Sequence, residues 1–181
     1  MINLITKYSI ILNIFIVIFL LSNCSSTSSN KEIIQLSDTE IYSKGLDAFK
    51  KGNFNKATLK FDNVFLNYPF SSLASKSEIM SAYSLYQNNE ITKAVTKLNS
   101  YIEMNPKGEF SEYAHYLLAM CYYAKVSSEN RDPGASIKSL NFFKLIMTKY
   151  PKTKYAKDAK LKIQFLKNML AKNELNIGKF Y

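Results

Sequence analysis

Small and large apolar side chains recur at matching distances before three prolines, Pro69, Pro106 and Pro151. Each segment presents a turn residue, a small residue, a large apolar residue and then the closing proline. The matched positions are Gly52, Phe54, Ala57, Phe61 and Val64; then Asn89, Ile91, Ala94, Leu98 and Tyr101; then Gly134, Ser136, Ser139, Phe143 and Ile146. The first two segments are shifted by 37 residues throughout. Self-similarity of this kind predicts an array of structural repeats.

Each repeat is predicted to be a pair of antiparallel helices. The small residues Ala57 and Ala94 let the second helix of a pair cross close to the first, and the large residue one turn later fills the space beside it. Gly52 and the pair Asn88–Asn89 suit a left-handed turn between the helices. Each proline ends a second helix, because the residue before a proline avoids the α region.

Helices are therefore expected throughout, and the fold class is all-α. The sequence shows neither sustained alternation of period two nor an Asn-Gly or Asp-Gly hairpin turn, so strands are not expected. Helices are predicted over residues 38–51, 55–68, 72–87, 90–105, 111–127, 133–150 and 154–173. The distance from Pro106 to Pro151 is 45 residues, eight more than the first interval. We place the extra residues in a polar loop around 126–134, inside the third hairpin.

The N-terminus has the pattern of a secretory signal. Lys7 precedes residues 9–21, which are apolar apart from Ser9 and Asn13 and are too few for the about 20 residues that span a bilayer. The sequence Leu21-Ser22-Asn23-Cys24 follows and resembles a bacterial lipobox. The resemblance implies cleavage before Cys24 and covalent lipid on that residue. A plain cleaved signal with a coincidental cysteine is the alternative.

The domain organisation follows from these patterns. We predict a signal peptide over 1–23, a lipidated flexible tether over 24–36 and a repeat domain over 37–181, in which the repeats occupy about 38–70, 72–106, 111–151 and, in part, 154–181. By resemblance to lipoprotein sorting, a serine directly after the lipidated cysteine favours the outer membrane over retention in the inner membrane. The expected location is therefore the periplasmic face of the outer membrane.

Charge and chemistry exclude several classes of function. The net charge is +10, yet Arg131 is the one arginine among 24 basic residues, which argues against a nucleic-acid partner that reads bases. His115 and Cys121 lie six residues apart and do not share a helix face. We expect a packing cysteine and a half-exposed histidine. No catalytic or metal-binding motif occurs, so we expect no enzyme, no metal and no cofactor beyond the lipid on Cys24.

Tyrosines on the first helices are the candidate binding residues. Most aromatic side chains must pack between helices, but the first helices of such hairpins line a concave groove. Tyrosine offers a large rigid surface with one polar group, which suits the binding of an extended peptide. The candidates for a partner- or peptide-binding groove are Tyr83, Tyr86, Tyr116 and Tyr123.

The C-terminal segment contains many lysines and an additional strip of apolar residues. Eight lysines occur there, at positions 149, 152, 154, 157, 160, 162, 167 and 172. They form either a face exposed to solvent or a basic surface that attracts anionic lipid or an acidic partner. The apolar residues Leu161, Phe165 and Met169 form a second stripe on the last helix. We expect this strip to be exposed and to promote self-association.

The hairpins resemble tetratricopeptide repeats, which stack into a superhelix, and the whole pattern resembles the BamD family of lipoproteins of the outer-membrane β-barrel assembly machinery. The resemblance rests on the lipobox, on Tyr68-Pro69-Phe70-Ser71 closing the first repeat, on Arg131-Asp132-Pro133 in the insertion and on the segments 150–159 and 165–171. It implies a periplasmic scaffold that binds the chaperone-like domains of the barrel-forming subunit, other assembly lipoproteins and unfolded barrel proteins. The alternative is a tetratricopeptide adaptor that coordinates envelope or peptidoglycan synthesis; lipidation of Cys24 would separate the two.

Overall fold

The computed structural model describes residues 36–126 and 133–179, and this part of the chain is helical without strands. The helices are α1 (Asp38–Lys50), α2 (Phe54–Asn67), α3 (Ala74–Gln87), α4 (Ile91–Met104), α5 (Ser111–Ala124), α6 (Gly134–Lys149) and α7 (Lys154–Gly178). The predicted all-α fold is confirmed. The predicted signal peptide, Cys24, the tether as far as residue 35, and Arg131 and Asp132 lie outside the described residues.

Helices that follow one another in the chain pack against one another. Within the hairpins, α1 contacts α2, α3 contacts α4 and α5 contacts α6, while α2–α3, α4–α5 and α6–α7 contacts join successive units. The first helices also meet directly, α3 with α5 and α5 with α7. Among the described residues this is the connectivity of tandem tetratricopeptide-like hairpins, in which each repeat buries its apolar face against the next.

Local sequence explains where several helices begin and turn. Ser37 caps α1 through a reciprocal pair of hydrogen bonds with Glu40, and the Thr153 side chain accepts from the Ala156 amide at the start of α7. Gly52 and Asn89 both lie in the left-handed region, with φ of 73° and 60°. The predicted left-handed turns between the paired helices are therefore confirmed.

The repeat positions form the core of each hairpin. Phe61, Leu98 and Phe143 are all fully buried, as are Val64, Tyr101 and Ile146 one turn later. A second register runs along the first helices, where the small residues Gly45, Ala82, Ala119 and Ala156 lie 37 residues apart and are all buried.

Close helix crossing explains why these positions are small. A Cβ atom on Gly45 would lie 2.8 Å from a ring carbon of Phe61. In the third hairpin, the Ser139 hydroxyl donates to the Ala119 carbonyl at 3.1 Å, so a polar side chain is accommodated by the facing backbone. Ala57, Phe61, Ala94 and Leu98 are all fully buried, which agrees with the predicted close crossings of α2 and α4.

Two predicted helix ends are wrong. Helix α5 ends at Ala124 and not at residue 127, because the amides of Lys125 and Val126 bond to the carbonyls of Tyr122 and Tyr123 in a tightened last turn. Helix α7 continues to Gly178, five residues beyond the predicted end, since no proline or glycine interrupts it earlier. No helix within 36–126 or 133–179 is both long and apolar enough to cross a bilayer.

Candidate functional site

Aromatic side chains from four helices form one continuous row. Phe49 of α1 contacts Tyr83 of α3 with ring centroids 5.2 Å apart, and Tyr83 contacts Tyr113 of α5 at 6.2 Å. Tyr113 then contacts Tyr155 of α7 at 5.6 Å, and Tyr155 contacts Tyr116 at 4.8 Å. We call these five residues the aromatic row. It spans every first helix, α1, α3, α5 and α7, and all five side chains are half-buried.

The aromatic row crosses the first helices diagonally. Phe49 lies in the last turn of α1, whereas Tyr113 and Tyr155 lie in the first turns of α5 and α7. Because each of these side chains is half-buried and contacts a neighbouring ring, packing restricts the rings while part of every side chain stays accessible. Preordered aromatic rings lose little conformational entropy on binding, which favours contact with apolar side chains of a ligand.

The hydroxyl groups of Tyr113, Tyr116 and Tyr155 have pKa values raised above that of free tyrosine. Burial raises the pKa of Tyr113 and Tyr155 above the ordinary value. Burial also raises the pKa of Tyr116, and so does the hydrogen bond that its hydroxyl donates to the Asp158 carboxylate at 2.6 Å. The Tyr83 hydroxyl accepts from the Gln87 amide at 2.7 Å. The row therefore combines apolar ring faces with polar hydroxyl groups.

The four tyrosines predicted to line a groove do not form one cluster in the structure. Tyr83 and Tyr116 belong to the aromatic row, and Tyr86 stacks beside Tyr83 with centroids 6.4 Å apart. Tyr123 lies away from the row, between Phe143 of α6 and Phe165 of α7, with ring centroids at 6.1 and 5.8 Å. All four side chains are half-buried. Their role in binding stays a prediction.

Three members of the aromatic row were not predicted from the sequence: Phe49, Tyr113 and Tyr155. Tyr113 and Tyr155 lie in the first turns of their helices, while Phe49 lies in the last turn of its helix, so no constant offset within the repeat relates the three residues. The one signal available was the presence of an aromatic residue on every first helix.

His115 and Cys121 are both buried, so the expectation of a half-exposed histidine is wrong. His115 is 5% exposed because its ring packs edge-on against Tyr150, and its Nδ1 lies 2.7 Å from the Ser111 carbonyl oxygen. Burial lowers the pKa of His115 and raises the pKa of the Cys121 thiol to about 12. Cys121 is a packing residue, as predicted. The described residues bring together no group of side chains suited to a metal ion.

The C-terminal lysines and the apolar strip divide into exposed and partly buried members. Seven of the eight lysines are exposed; Lys162 is half-buried and pairs with Asp158 at 3.4 Å. Leu161 and Phe165 are 71% and 47% exposed, as expected for the strip. Met169 is half-buried instead, so the expectation of an exposed strip is wrong at this position. Self-association through this strip stays a prediction.

Stacked antiparallel hairpins with buried small residues at their crossings, and an aromatic row along the first helices, define a tetratricopeptide-like helical scaffold. The chain belongs to the YfiO family, described as outer membrane lipoprotein, whose sequence profile matches residues 34–181. The family resemblance predicted from the sequence is thereby confirmed.

Curated relatives are similar over most of this chain. The outer membrane protein assembly factor BamD of Rickettsia prowazekii is 34% identical over 161 residues, which are 89% of this chain and 64% of the relative. BamD of Caulobacter vibrioides is 34% identical over 78% of this chain and 46% of the relative, and BamD of Xylella fastidiosa is 29% identical over 78% and 52%. The chain thus spans about half to two thirds of the length of these relatives. Their names describe an assembly factor and no catalytic activity.

Proposed function

We propose that this protein is a lipid-anchored scaffold component of the machinery that assembles β-barrel proteins in the outer membrane. Membership of the outer membrane lipoprotein family supports the location, and similarity to proteins named assembly factors supports the process. The lipid on Cys24 would hold the repeats at the periplasmic face. The protein acts by binding, without catalysis and without nucleic acid.

The aromatic row is the observation that carries the proposal. Side chains on one face of an extended peptide are about 6.6–7 Å apart, somewhat more than the 4.8–6.2 Å between successive rings of the row. Alternate residues of a bound strand could therefore contact rings of the row without matching them one to one. Unfolded barrel proteins supply such segments, because barrel strands alternate apolar and polar residues and carry aromatic residues at the membrane interfaces.

Protein partners would use the remaining surfaces. The proposed partners are the barrel-forming subunit, through its periplasmic chaperone-like domains, and other assembly lipoproteins. The exposed side chains of Leu161 and Phe165, surrounded by the C-terminal lysines, form an apolar strip with a basic border. Such a surface suits a folded domain with an acidic rim around an apolar patch.

Affinity purification from detergent-solubilised envelopes tests this function. We expect the full chain to co-elute with the barrel-forming subunit, and Leu161→Lys to reduce that co-elution. Phe70→Ala is the matched control, because Phe70 is a fully exposed apolar residue outside the strip and outside the aromatic row. Co-elution with enzymes of peptidoglycan synthesis, in the absence of any barrel-assembly subunit, would contradict the proposal and support an adaptor for envelope synthesis.

A further inference from the structure

A second groove lies between the second helices of the first two hairpins. Helices α2 and α4 form its walls, Glu78 and Leu85 of α3 contribute its floor, and its volume is about 780 Å³. Apolar side chains border it, including Leu59 and Met104, which are 70% and 59% exposed. We call it the second-helix groove. No residue of the aromatic row lines it.

The second-helix groove contains one more acidic side chain than basic side chains. Asp62 pairs with Lys97 at 2.8 Å between the nitrogen and the carboxylate oxygen, and Glu90 pairs with Lys93. The remaining charged side chain that lines the groove is Glu78. After these two pairs form, one carboxyl group is left without an ion-pair partner of its own.

Glu78 is buried without a hydrogen bond. Its side chain is 4% exposed, and no described residue donates a hydrogen bond to it. Burial raises the pKa of Glu78, although the nearby charge of Lys97 opposes that shift. Among the described residues, the fully buried side-chain atoms without a hydrogen-bond partner are Thr58 Oγ1 and Ser77 Oγ, so the Glu78 carboxylate oxygens are not sealed between the helices. Because Glu78 lines the groove, its carboxyl group is open to a donor that enters from outside this helix array.

A second unpaired group lines the same groove. The Oγ1 atom of Thr58, on the α2 wall, is buried and has no hydrogen-bond partner in the described part of the chain. An arginine side chain carries five N–H donors in a planar fork, which matches a carboxylate and leaves further donors for a hydroxyl. A guanidinium group at Glu78 would therefore retain N–H donors for Thr58, whose side chain lines the same groove.

The length of the groove suits a short extended segment. Its α2 wall runs from Asn55 to Phe65, which corresponds to about 15 Å of helix, or about five residues of extended peptide. The exposed apolar side chains of Leu59 and Met104 would be covered by the residues beside the arginine. Apolar contact would supply affinity, and the charged contact would select the sequence.

We propose that the second-helix groove docks an extended segment of a protein partner, with one arginine inserted toward Glu78 and Thr58 and apolar residues on either side. This surface is separate from the aromatic row, so it adds a second peptide-binding face on the opposite members of the hairpins. The proposal does not depend on which protein the aromatic row binds.

A labelled peptide tests the docking site directly. The probe is the acetylated and amidated peptide Leu-Ser-Arg-Ser-Leu with a fluorophore, titrated with the full chain in detergent micelles and followed by fluorescence anisotropy. The companion peptide carries citrulline, which keeps the shape of arginine without its charge. We expect the arginine peptide to bind at least about tenfold more tightly than the citrulline peptide, a difference of about 1.4 kcal/mol.

Variants locate the binding site within the groove. Glu78→Gln keeps the side-chain shape and should weaken binding of the arginine peptide about tenfold, while the citrulline peptide is unaffected; Thr58→Val should weaken it severalfold. Glu103→Gln is the matched control, since Glu103 is exposed on α4 and does not line the groove. Tyr113→Ala, in the aromatic row, should leave the affinity unchanged.

Three results would overturn the docking site: equal binding of the two peptides, unchanged affinity in both Glu78→Gln and Thr58→Val, or no saturable binding below about 1 mM. Loss of affinity in Tyr113→Ala would also overturn it, because it would place the peptide on the aromatic row. Failure of the proposed assembly function would leave these titrations unaffected, so the two outcomes are distinguishable.

Discussion

Tyr83 of α3 meets Tyr113 of α5 edge-on, with ring centroids 6.2 Å apart and ring planes at 73°. This contact joins the second and third hairpins through their first helices, and it lies at the centre of the aromatic row. Edge-to-face contacts of this kind stabilise by about 0.5–1.5 kcal/mol beyond the area that they bury. The two rings therefore contribute both to the packing between repeats and to the accessible surface proposed to bind peptides.

Tyr83→Ala should weaken binding of an apolar peptide with a C-terminal phenylalanine, which mimics the end of a barrel protein, by about 1–2 kcal/mol. The ring contacts Phe49 and Tyr113, so its removal opens the middle of the row. Fluorescence anisotropy with a labelled peptide measures the effect. Phe70→Ala is the control and should bind as the unmodified chain does. Equal affinity in both variants would remove the aromatic row as the peptide site.

Phe61→Ala should lower the free energy of unfolding by about 3–5 kcal/mol, because this fully buried ring fills the crossing between α1 and α2. Leu59→Ala on the same helix removes an apolar side chain that is 70% exposed and should cost less than about 1 kcal/mol. Urea denaturation followed by circular dichroism gives both values. Similar losses in the two variants would contradict the register of the first hairpin.

Gly45→Ala should also destabilise the fold, since the added Cβ would lie 2.8 Å from the ring of Phe61. Overpacking of a close crossing typically costs about 1–3 kcal/mol. The double variant Gly45→Ala with Phe61→Leu should be more stable than the sum of the two single losses predicts, because the smaller side chain relieves the clash. Additive losses would show that the two positions do not share one crossing.

Glu78→Gln should raise stability at neutral pH. The pKa of Glu78 in the folded chain is raised above its ordinary value of 4.5, mainly by burial. The folded state therefore holds this proton more tightly than the unfolded state, so the contribution of Glu78 is fully present below about pH 4.5 and is lost as pH rises through the raised pKa. Unfolding measured from pH 4 to pH 8 should show the gain of the variant growing with pH. A constant difference between the chains would contradict the shift; Glu103→Gln serves as the exposed control.

Cys24→Ala should release the protein from membranes into the soluble fraction, since the predicted signal segment of residues 9–21 is too short to span a bilayer. Fractionation of cell envelopes, followed by immunoblotting, measures the release. Cys121→Ala is the matched control and should stay with the membrane, because Cys121 is buried in the repeat core. Membrane attachment of Cys24→Ala in the absence of protein partners would disprove the lipid anchor.

Local chemistry made the hairpins predictable from the sequence. The left-handed turns at Gly52 and Asn89 follow from residues that tolerate positive φ, and the helix crossings follow from small residues placed one turn before large ones. Each of these constraints acts within one hairpin. Their common offset from a proline therefore determined the register of the array and the buried positions Phe61, Leu98 and Phe143.

Contacts between hairpins were decided by the tertiary structure alone. Phe49, Tyr113 and Tyr155 belong to one row although they occupy different turns of their helices, because the packing of α1, α3, α5 and α7 against one another brings their rings into contact through Tyr83. The same packing buries His115 beside Tyr150 and leaves Glu78 without a partner in the second-helix groove. Periodicity places a residue on one face of its helix. The contacts that a side chain makes across that face depend on how the neighbouring helices are rotated and shifted relative to its own helix. The spacing of residues within a single repeat determines neither the rotation nor the shift, so only the tertiary structure decides these contacts.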